Sequence, residues 1–276
     1  MNLSLTKGFR KLFSLSKLFA KDLYYRNLSR HYKLLGSQYG GWIVPQKIKS
    51  SNLTLISCGV GEDISFDLDF LSHYNSRIIF VDPTPKAINH MNSIYSLTSN
   101  HPDHDCLPST NNTILGQYKN IFEKLIASYE SVSIVNEKTL MLDKAIGATH
   151  MDSRIIKLYM PVNKNFVSCS SLPEGKDTES SFDAQVISLN SIISTYSLES
   201  YILKLDVEGA EWDIIKDFDN LSLLPDYIMI EFHLQHLKKS IGLEKLTESI
   251  KTLEDLGFKL VAKRRTDFCF SRQGVC

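Results

Sequence analysis

The feature that most constrains this chain is an apolar run that ends in paired glycines, followed by a second apolar run that ends in an acid. The first run predicts a strand over residues 53–57, after which Gly59 and Gly61 allow a sharp turn and a ligand lying against bare backbone. The second predicts a strand over residues 77–81 that leads into Asp82, 23 residues after Gly59. An acid at that place can accept hydrogen bonds from both hydroxyls of a ribose. The pattern therefore predicts the nucleoside-binding edge of an open α/β sheet.

The charge that follows the glycines distinguishes between two nucleoside cofactors. A dinucleotide site would need a third glycine where this chain has Ile64, and Glu62 and Asp63 would repel a pyrophosphate. S-adenosylmethionine (SAM) has no phosphate and carries a sulfonium and an ammonium group, which suit neighbouring acids. The sequence thus favours SAM over NAD. The residues expected to bind SAM are Gly59, Gly61, Glu62, Asp63 and Asp82.

Short apolar strands alternate with helical stretches along the rest of the chain, which is typical of an α/β fold with a mostly parallel sheet. Further strands are predicted over residues 139–145, 201–205 and 227–231, with an antiparallel hairpin over residues 259–263 and 267–271. Helices are predicted over residues 85–95, 210–216 and 243–256, the last ending at Gly257. Residues 98–113 and 173–181 are polar and rich in turn-forming residues, so they are predicted to be loops.

Two of the predicted strands lead into acids and a histidine. Asp206 and Glu208 follow the strand at 201–205, and Glu231 and His233 lie at the end of the next one. Because ligands bind at the carboxyl ends of strands in open α/β sheets, we expect these side chains to meet at the ligand-binding edge of the sheet. His233 is the candidate general base, since an unperturbed histidine pKa of about 6.5 suits neutral pH. Asp206 is the second predicted catalytic residue, and Asp206 with Glu231 would be able to hold Mg²⁺.

Each of these residues also has a purely structural interpretation. Glu208 or Glu211 can accept backbone N–H groups at the start of the next helix, and His233 can be a hydrogen-bonded core residue. Residues 39–42, Tyr-Gly-Gly-Trp, predict either an aromatic floor that stacks on an acceptor or a turn whose tryptophan packs on the domain. The acids and histidines of residues 101–105 favour a solvated loop over a metal site.

Four stretches of the chain resemble the FkbM-type methyltransferases, a branch of the class I SAM-dependent fold. They are SCGVGEDISFD at residues 57–67, FVDPTP at 80–85, LKLDVEGAEW at 203–212 and IEFH at 230–233, and the similarity extends from about residue 39 to 272. The resemblance implies a doubly wound, mostly parallel, seven-stranded Rossmann-like sheet with an antiparallel C-terminal hairpin. It places Gly59 and Gly61 beneath the amino-acid part of SAM, Asp82 at the ribose and residues 145–147 at the adenine. It further implies O-methylation of a sugar, polysaccharide or secondary-metabolite hydroxyl.

The composition indicates which kinds of partner and which cellular compartment to expect. Basic and acidic residues number 31 each, so overall charge predicts no nucleic-acid partner, and a small-molecule or glycan acceptor is expected instead. Five scattered cysteines, no secretory signal and no apolar segment long enough to cross a bilayer favour a cytoplasmic protein.

The N-terminal residues differ from the rest of the chain in charge. Residues 1–33 carry eight basic residues and one acid, with apolar positions at helical spacing. We therefore predict a basic amphipathic extension over residues 1–38 and a methyltransferase domain over 39–276. The extension either packs on the domain or a second subunit, or binds the inner face of a membrane.

Two other functions remain open at this point. One is a methyltransferase-like domain that binds a ligand or partner without catalysis, and the other is an NAD-dependent sugar enzyme. The intact glycines, Asp82 and Asp206 argue against the first, and the missing third glycine argues against the second.

Overall fold

A computed structural model describes residues 31–48, 53–100, 113–163, 169–171, 176–234 and 239–274. Residues 1–30 of the predicted N-terminal extension lie outside the described residues, as does the acid–histidine loop at 101–105. Residues 32–35, which the prediction assigned to a helical extension, form a strand instead. Among the helices in the described part of the chain, none is long and apolar enough to cross a membrane.

The described strands and helices follow one another along the chain as short elements. The strands are β1 (Tyr32–Leu35), β2 (Trp42–Pro45), β3 (Thr54–Cys58), β4 (Arg77–Val81), β5 (Thr139–Leu142), β6 (Ala145–Gly147), β7 (Ile155–Pro161), β8 (Lys176–Ser188), β9 (Tyr201–Leu205), β10 (Tyr227–Glu231), β11 (Phe258–Arg264) and β12 (Asp267–Arg272). The helices are α1 (Ser65–His73), α2 (Pro85–Asn100), α3 (Thr113–Tyr129), α4 (Ile134–Lys138), α5 (Leu189–Thr195), α6 (Glu211–Lys216) and α7 (Lys239–Asp255).

Within the described residues, seven strands form one sheet in the order β11-β12-β10-β9-β3-β4-β5. The strands from β10 to β5 run parallel to their neighbours. At one edge, β12 pairs antiparallel with both β10 and β11. The mostly parallel seven-stranded sheet and its antiparallel C-terminal hairpin are therefore confirmed.

The central strands are continuously apolar because both faces of the sheet are covered. In β3, Leu55 packs in one hydrophobic cluster with Phe66 and Phe70 of α1. The adjacent Ile56 packs in a second cluster with Trp212 of α6. Since successive side chains of a strand point to opposite faces, helices lie on both sides of the sheet. The carboxyl ends of its parallel strands consequently meet at one edge, where ligands bind in such sheets.

Several predicted boundaries hold and others move by a few residues. The strands at 77–81, 201–205 and 227–231 have the predicted bounds, and the strand predicted at 53–57 is observed over Thr54–Cys58. The helix predicted over 85–95 continues to residue 100, and the one predicted from residue 243 begins at 239. Gly257 adopts a φ of +86° directly after α7, which confirms the predicted glycine cap.

Two predictions about local structure are wrong. The strand predicted over residues 139–145 is two strands, β5 and β6, which belong to different sheets because the polar pair Asp143 and Lys144 interrupts the apolar run. Residues 176–181, predicted as loop, belong to β8, which pairs antiparallel with β7. Their polar composition reflects an exposed hairpin rather than irregular structure.

A small sheet and a hairpin were not predicted at all. In the described residues, β6, β8 and β7 form a three-stranded sheet, and β1 pairs antiparallel with β2. The turn between β1 and β2 is fastened to the C-terminal hairpin, since Arg264 donates to the carbonyl oxygens of Gly41 (2.8 Å) and Gln38 (2.6 Å). Both additions lie beside the carboxyl edge of the main sheet.

Candidate functional site

A cavity of about 700 Å³ opens at the carboxyl edge of the main sheet. The ends of β3, β4, β9 and β10 form its base, and the β1–β2 turn and the small sheet contribute its sides. All of the predicted cofactor-binding and catalytic residues line it, namely Gly59, Gly61, Glu62, Asp63, Asp82, Asp206 and His233, together with Glu231. The sequence therefore identified residues that the fold brings together in one cavity.

The glycine loop after β3 approaches the neighbouring strand too closely for a side chain at residue 59. Gly59 has a φ of +76°, and a Cβ built there would lie 1.7 Å from the carbonyl oxygen of Asp206. Gly61 has a φ of +59°. These positive φ values require glycine or strain any other residue. The loop thus exposes its backbone to the cavity, as the sequence predicted.

Asp82 holds this loop in shape by accepting hydrogen bonds from the backbone amides of the loop. Its Oδ2 accepts the backbone N–H groups of Val60 (2.8 Å) and Gly61 (3.0 Å), and its Oδ1 accepts that of Thr84 (2.8 Å). The residue is 5% exposed yet lines the cavity. The acid at the end of β4 is therefore part of the scaffold of the loop as well as a candidate ligand of the ribose.

The two acids after the loop are placed differently from one another. Asp63 accepts the backbone N–H of Ser65 (2.9 Å) at the start of α1 and the hydroxyl of Ser37 (2.8 Å) from the β1–β2 turn. The Glu62 side chain is 50% exposed and lies 3.9 Å from the amino group of Lys86. Both add negative charge beside the glycine loop, but Asp63 also joins three structural elements.

His233, just beyond the end of β10, lies among carboxylates. Its Nε2 is 3.6 Å from Asp206 Oδ1 and 3.7 Å from Glu208 Oε1, and its Nδ1 is 3.4 Å from Glu211 Oε1. The His233 side chain is 3% exposed, whereas that of Asp206 is 32% exposed. Asp206 thus presents a carboxylate to the cavity, and the imidazole lies behind it.

Glu211 is the residue that fixes this histidine. It is fully buried, its Oε2 accepts the backbone N–H of Gly209 (2.8 Å), and its Oε1 accepts the backbone N–H of His233 (2.9 Å). The interpretation of Glu211 as an acceptor of backbone N–H groups is confirmed. Because the same carboxylate also contacts the imidazole, it joins the β9–α6 turn to the end of β10.

The protonation states follow from burial and from this crowding of acids. Burial raises the pKa of Asp206 to about 6, although the charge of Lys204 opposes the shift. Burial alone would lower the pKa of His233, but the Glu211 carboxylate and the other acids around the ring raise it to about 9. Near neutral pH the imidazole is therefore protonated and has no lone pair to accept a proton.

The same acids form a candidate cation site. Asp206, Glu231 and His233 each offer a ligand atom, and these atoms lie within 4.8 Å of one another. Glu231 also accepts the hydroxyl of Thr266 (3.0 Å). Burial and the charge of Glu231 raise the pKa of the adjacent Asp267 to about 7. The carboxylate oxygens suit Mg²⁺, whereas the imidazole nitrogen is more typical of transition metals.

Three cavity residues that the sequence left open or missed take definite places. Trp42 is 5% exposed and packs in the core while it also lines the cavity, and Tyr39 lines the cavity with a side chain that is 85% exposed. Lys204, which was not predicted to have a role, is buried below the glycine loop. The feature of the sequence that could have revealed a role for Lys204 is that a charged residue stands within the otherwise apolar strand at 201–205.

The predicted adenine segment lies at the side of the cavity. Ala145 and Ile146 of β6 line it, and both are almost fully buried. They supply an apolar wall on the side where β4 and β5 end, which suits the flat face of a base. Their assignment to the adenine stays a prediction.

Comparison with known proteins identifies the family. A family model described as the methyltransferase FkbM domain matches residues 38–260. No curated protein and no solved structure matches the chain. Because the match covers most of the sequence, the chain belongs to the FkbM methyltransferase family.

Proposed function

We propose that this member of the FkbM methyltransferase family transfers a methyl group from SAM to a hydroxyl of a sugar, polysaccharide or secondary metabolite, using a class I, doubly wound fold. One observation carries the proposal. The bare glycine loop with its acids and the Asp206–His233 cluster line a single cavity of about 700 Å³. Such an arrangement suits a cationic nucleoside at one end and a hydroxyl acceptor at the other.

The residues at the cofactor end fit SAM in shape and charge. The space that a side chain would occupy at residue 59 is closed by the carbonyl of Asp206, so backbone alone faces the ligand. We assign Gly59 and Gly61 to the amino-acid part and Asp82 to the ribose, with Glu62 and Asp63 balancing positive charge. When bound, SAM supplies the methyl group on a positively charged sulfur.

We assign two roles at the acceptor to two residues, Asp206 and His233. The acceptor must lose its hydroxyl proton as the new bond forms. Asp206, one third exposed, is placed to take that proton, while His233 behind it holds the carboxylate by charge. In this proposal His233 acts with Asp206 and does not accept the proton first. Glu211 keeps the imidazole in position.

A divalent cation is a second candidate for activating the acceptor, favoured by the approach of Asp206, Glu231 and His233 within 4.8 Å. Mg²⁺ or a transition metal there would supply positive charge that lowers the pKa of a hydroxyl. Activity measured in EDTA and after adding back Mg²⁺ or Mn²⁺ decides between the two. Full activity in EDTA would remove the metal from the proposal.

The alternative of a non-catalytic methyltransferase-like domain is less favoured, because the glycine loop and the cluster of Asp206 and His233 are both intact. Binding to the inner face of a membrane through residues 1–33 is a separate proposal that rests on the sequence alone. Liposome binding by the full chain and by a chain lacking residues 1–33 tests it, since equal binding by both contradicts it.

The first experiment is calorimetric titration of the full chain with SAM and, separately, with NAD, alongside Asp82→Ala. We expect SAM to bind, NAD not to bind, and the variant to lose most of its affinity for SAM. A folded wild-type protein that fails to bind SAM would contradict the proposed function. If SAM binds, a screen of glycan and small-molecule acceptors follows.

A further inference from the structure

Lys204 occupies an unusual place for a charged residue. It lies in β9, at the centre of the main sheet, where its strand neighbours are Ser57 of β3 and Met229 of β10. The residue is 4% exposed, and what remains accessible faces the cavity. A buried lysine is stable only where its charge is compensated and its donors are used.

The ammonium group of Lys204 reaches the underside of the glycine loop. It donates to the carbonyl oxygen of Gly59 at 2.9 Å, and it lies 5.3 Å from the centre of the Trp42 ring. On the other side of the loop, Asp82 accepts the N–H groups of Val60 and Gly61. The loop is thus held by a cation at its carbonyl side and by an anion at its amide side.

A buried carboxylate accompanies this lysine. Asp67 of α1 is 1% exposed, and its Oδ1 has no hydrogen-bond partner within the described residues. Burial raises the pKa of Asp67, and the charge of Lys204 opposes that rise. Ser57, the strand neighbour of Lys204, also interacts with the side chain of Asp67. Lys204 is therefore the cation that compensates Asp67 below the loop, and its charge also acts on Asp206.

We propose that Lys204 is a positioning residue that fixes the Gly59 carbonyl and so keeps the glycine loop in the conformation that receives the cofactor, with Asp67 as its buried counter-charge. The part of this proposal that concerns SAM rests on the proposed function. The part that concerns the loop does not, because it rests on the hydrogen bond from Lys204 to Gly59.

Amide hydrogen exchange measured by NMR tests the loop directly. Lys204→Met keeps the length of the side chain but removes the donor, so we expect the amides of Val60 and Gly61 to exchange about tenfold faster or more. Asp67→Asn is the matched control, since it removes the counter-charge and leaves the Lys204–Gly59 hydrogen bond. Its loop amides are expected to exchange at the wild-type rate.

The double variant Lys204→Met/Asp67→Asn separates positioning from a general loss of stability. It removes both buried charges, so we expect it to unfold at a urea concentration close to that of the wild type. Its loop amides should still exchange fast. If exchange instead returns to the wild-type rate, the single variant acted through an uncompensated Asp67 and the proposal is wrong.

Titration with SAM extends the test to the cofactor. Both variants that lack Lys204 should bind SAM about tenfold more weakly or worse, with a larger effect on the KM for SAM than on kcat, while Asp67→Asn stays within about twofold. A wild-type protein that binds no SAM contradicts the proposed function. The exchange rates of the loop amides then test only whether Lys204 positions the glycine loop. Unchanged exchange in Lys204→Met overturns the positioning role.

Discussion

Two aspartates at the same edge of one sheet have opposite surroundings. Asp82, at the end of β4, is surrounded by backbone N–H donors from Val60, Gly61 and Thr84. Asp206, at the end of β9, lies one third exposed beside His233 and other acids. The oxygens of the first carboxylate are used by backbone donors, whereas burial and neighbouring like charges raise the pKa of the second.

The difference shows how position in the fold assigns roles to chemically identical side chains. A carboxylate whose oxygens are already used by the backbone holds a loop in shape. A carboxylate that lacks such donors, and whose pKa is raised toward neutrality, can exchange a proton with a substrate. We therefore expect changes at Asp82 to act mainly on binding and stability, and changes at Asp206 to act mainly on the rate.

The largest expected effect is that of Asp206→Asn on catalysis. The amide cannot take the proton of the acceptor hydroxyl, so kcat should fall by about 10²–10⁴-fold. The affinity for SAM, measured by calorimetry, should change little because the glycine loop and Asp82 remain. An equal loss of SAM affinity and rate would show that the two ends of the cavity do not act separately.

The next effect concerns pH and the histidine behind Asp206. The pKa of His233 is raised from 6.5 to about 9, so its contribution to stability is fully present below pH 6.5 and is lost as the pH rises through 9. The free energy of unfolding should fall by about 3 kcal/mol over that range. Urea unfolding at a series of pH values measures it. His233→Gln should flatten the dependence, and a wild-type slope in the variant would contradict the assignment.

A matched pair of substitutions compares the two aspartates directly. Asp82→Asn replaces an acceptor oxygen of the loop by an amide donor, so it should lower the free energy of unfolding by about 1–3 kcal/mol. Asp206→Asn removes a destabilised charge that is partly screened by solvent, so it should raise the free energy of unfolding by about 1 kcal/mol. Urea titrations at neutral pH give both changes in the free energy of unfolding. Changes of the same sign in the two variants would contradict the proposed difference between the two aspartates.

The smallest effect is expected at Glu62, the exposed acid of the cofactor end. Its side chain is half exposed and lies 3.9 Å from Lys86, so solvent screens most of its charge. Glu62→Gln should weaken SAM binding by about twofold at low salt and by less at high salt. A loss as large as that of Asp82→Ala would place Glu62 in direct contact with the cofactor.

Much of the main sheet was predictable because each of its strands can be recognised from its own short stretch of sequence. Strands such as β4, β9 and β10 are short apolar runs that both faces of the sheet bury, and they had the predicted bounds. The small sheet was not predictable in the same way. Most of β8 is polar and partly exposed, so its sequence has the composition of a loop although it pairs with β7 along its length.

Within the site, the sequence alone determined which side chains meet at the carboxyl edge. Gly59, Asp82, Asp206 and His233 each follow or end a strand of one parallel sheet, and parallel strands end at the same edge. That much depends on the period of the apolar pattern and on the positions of the glycines, which can be read from the chain.

What those side chains do was decided only by the tertiary structure. The bond from Lys204 to Gly59 joins residues 145 positions apart, and the contact of Glu211 with His233 joins residues 22 apart on different elements. Such contacts depend on strand order and on burial, which no single segment contains. Because the pKa and hydrogen bonds of a carboxylate are set by these distant neighbours, the sequence identified the acids and the fold assigned their roles.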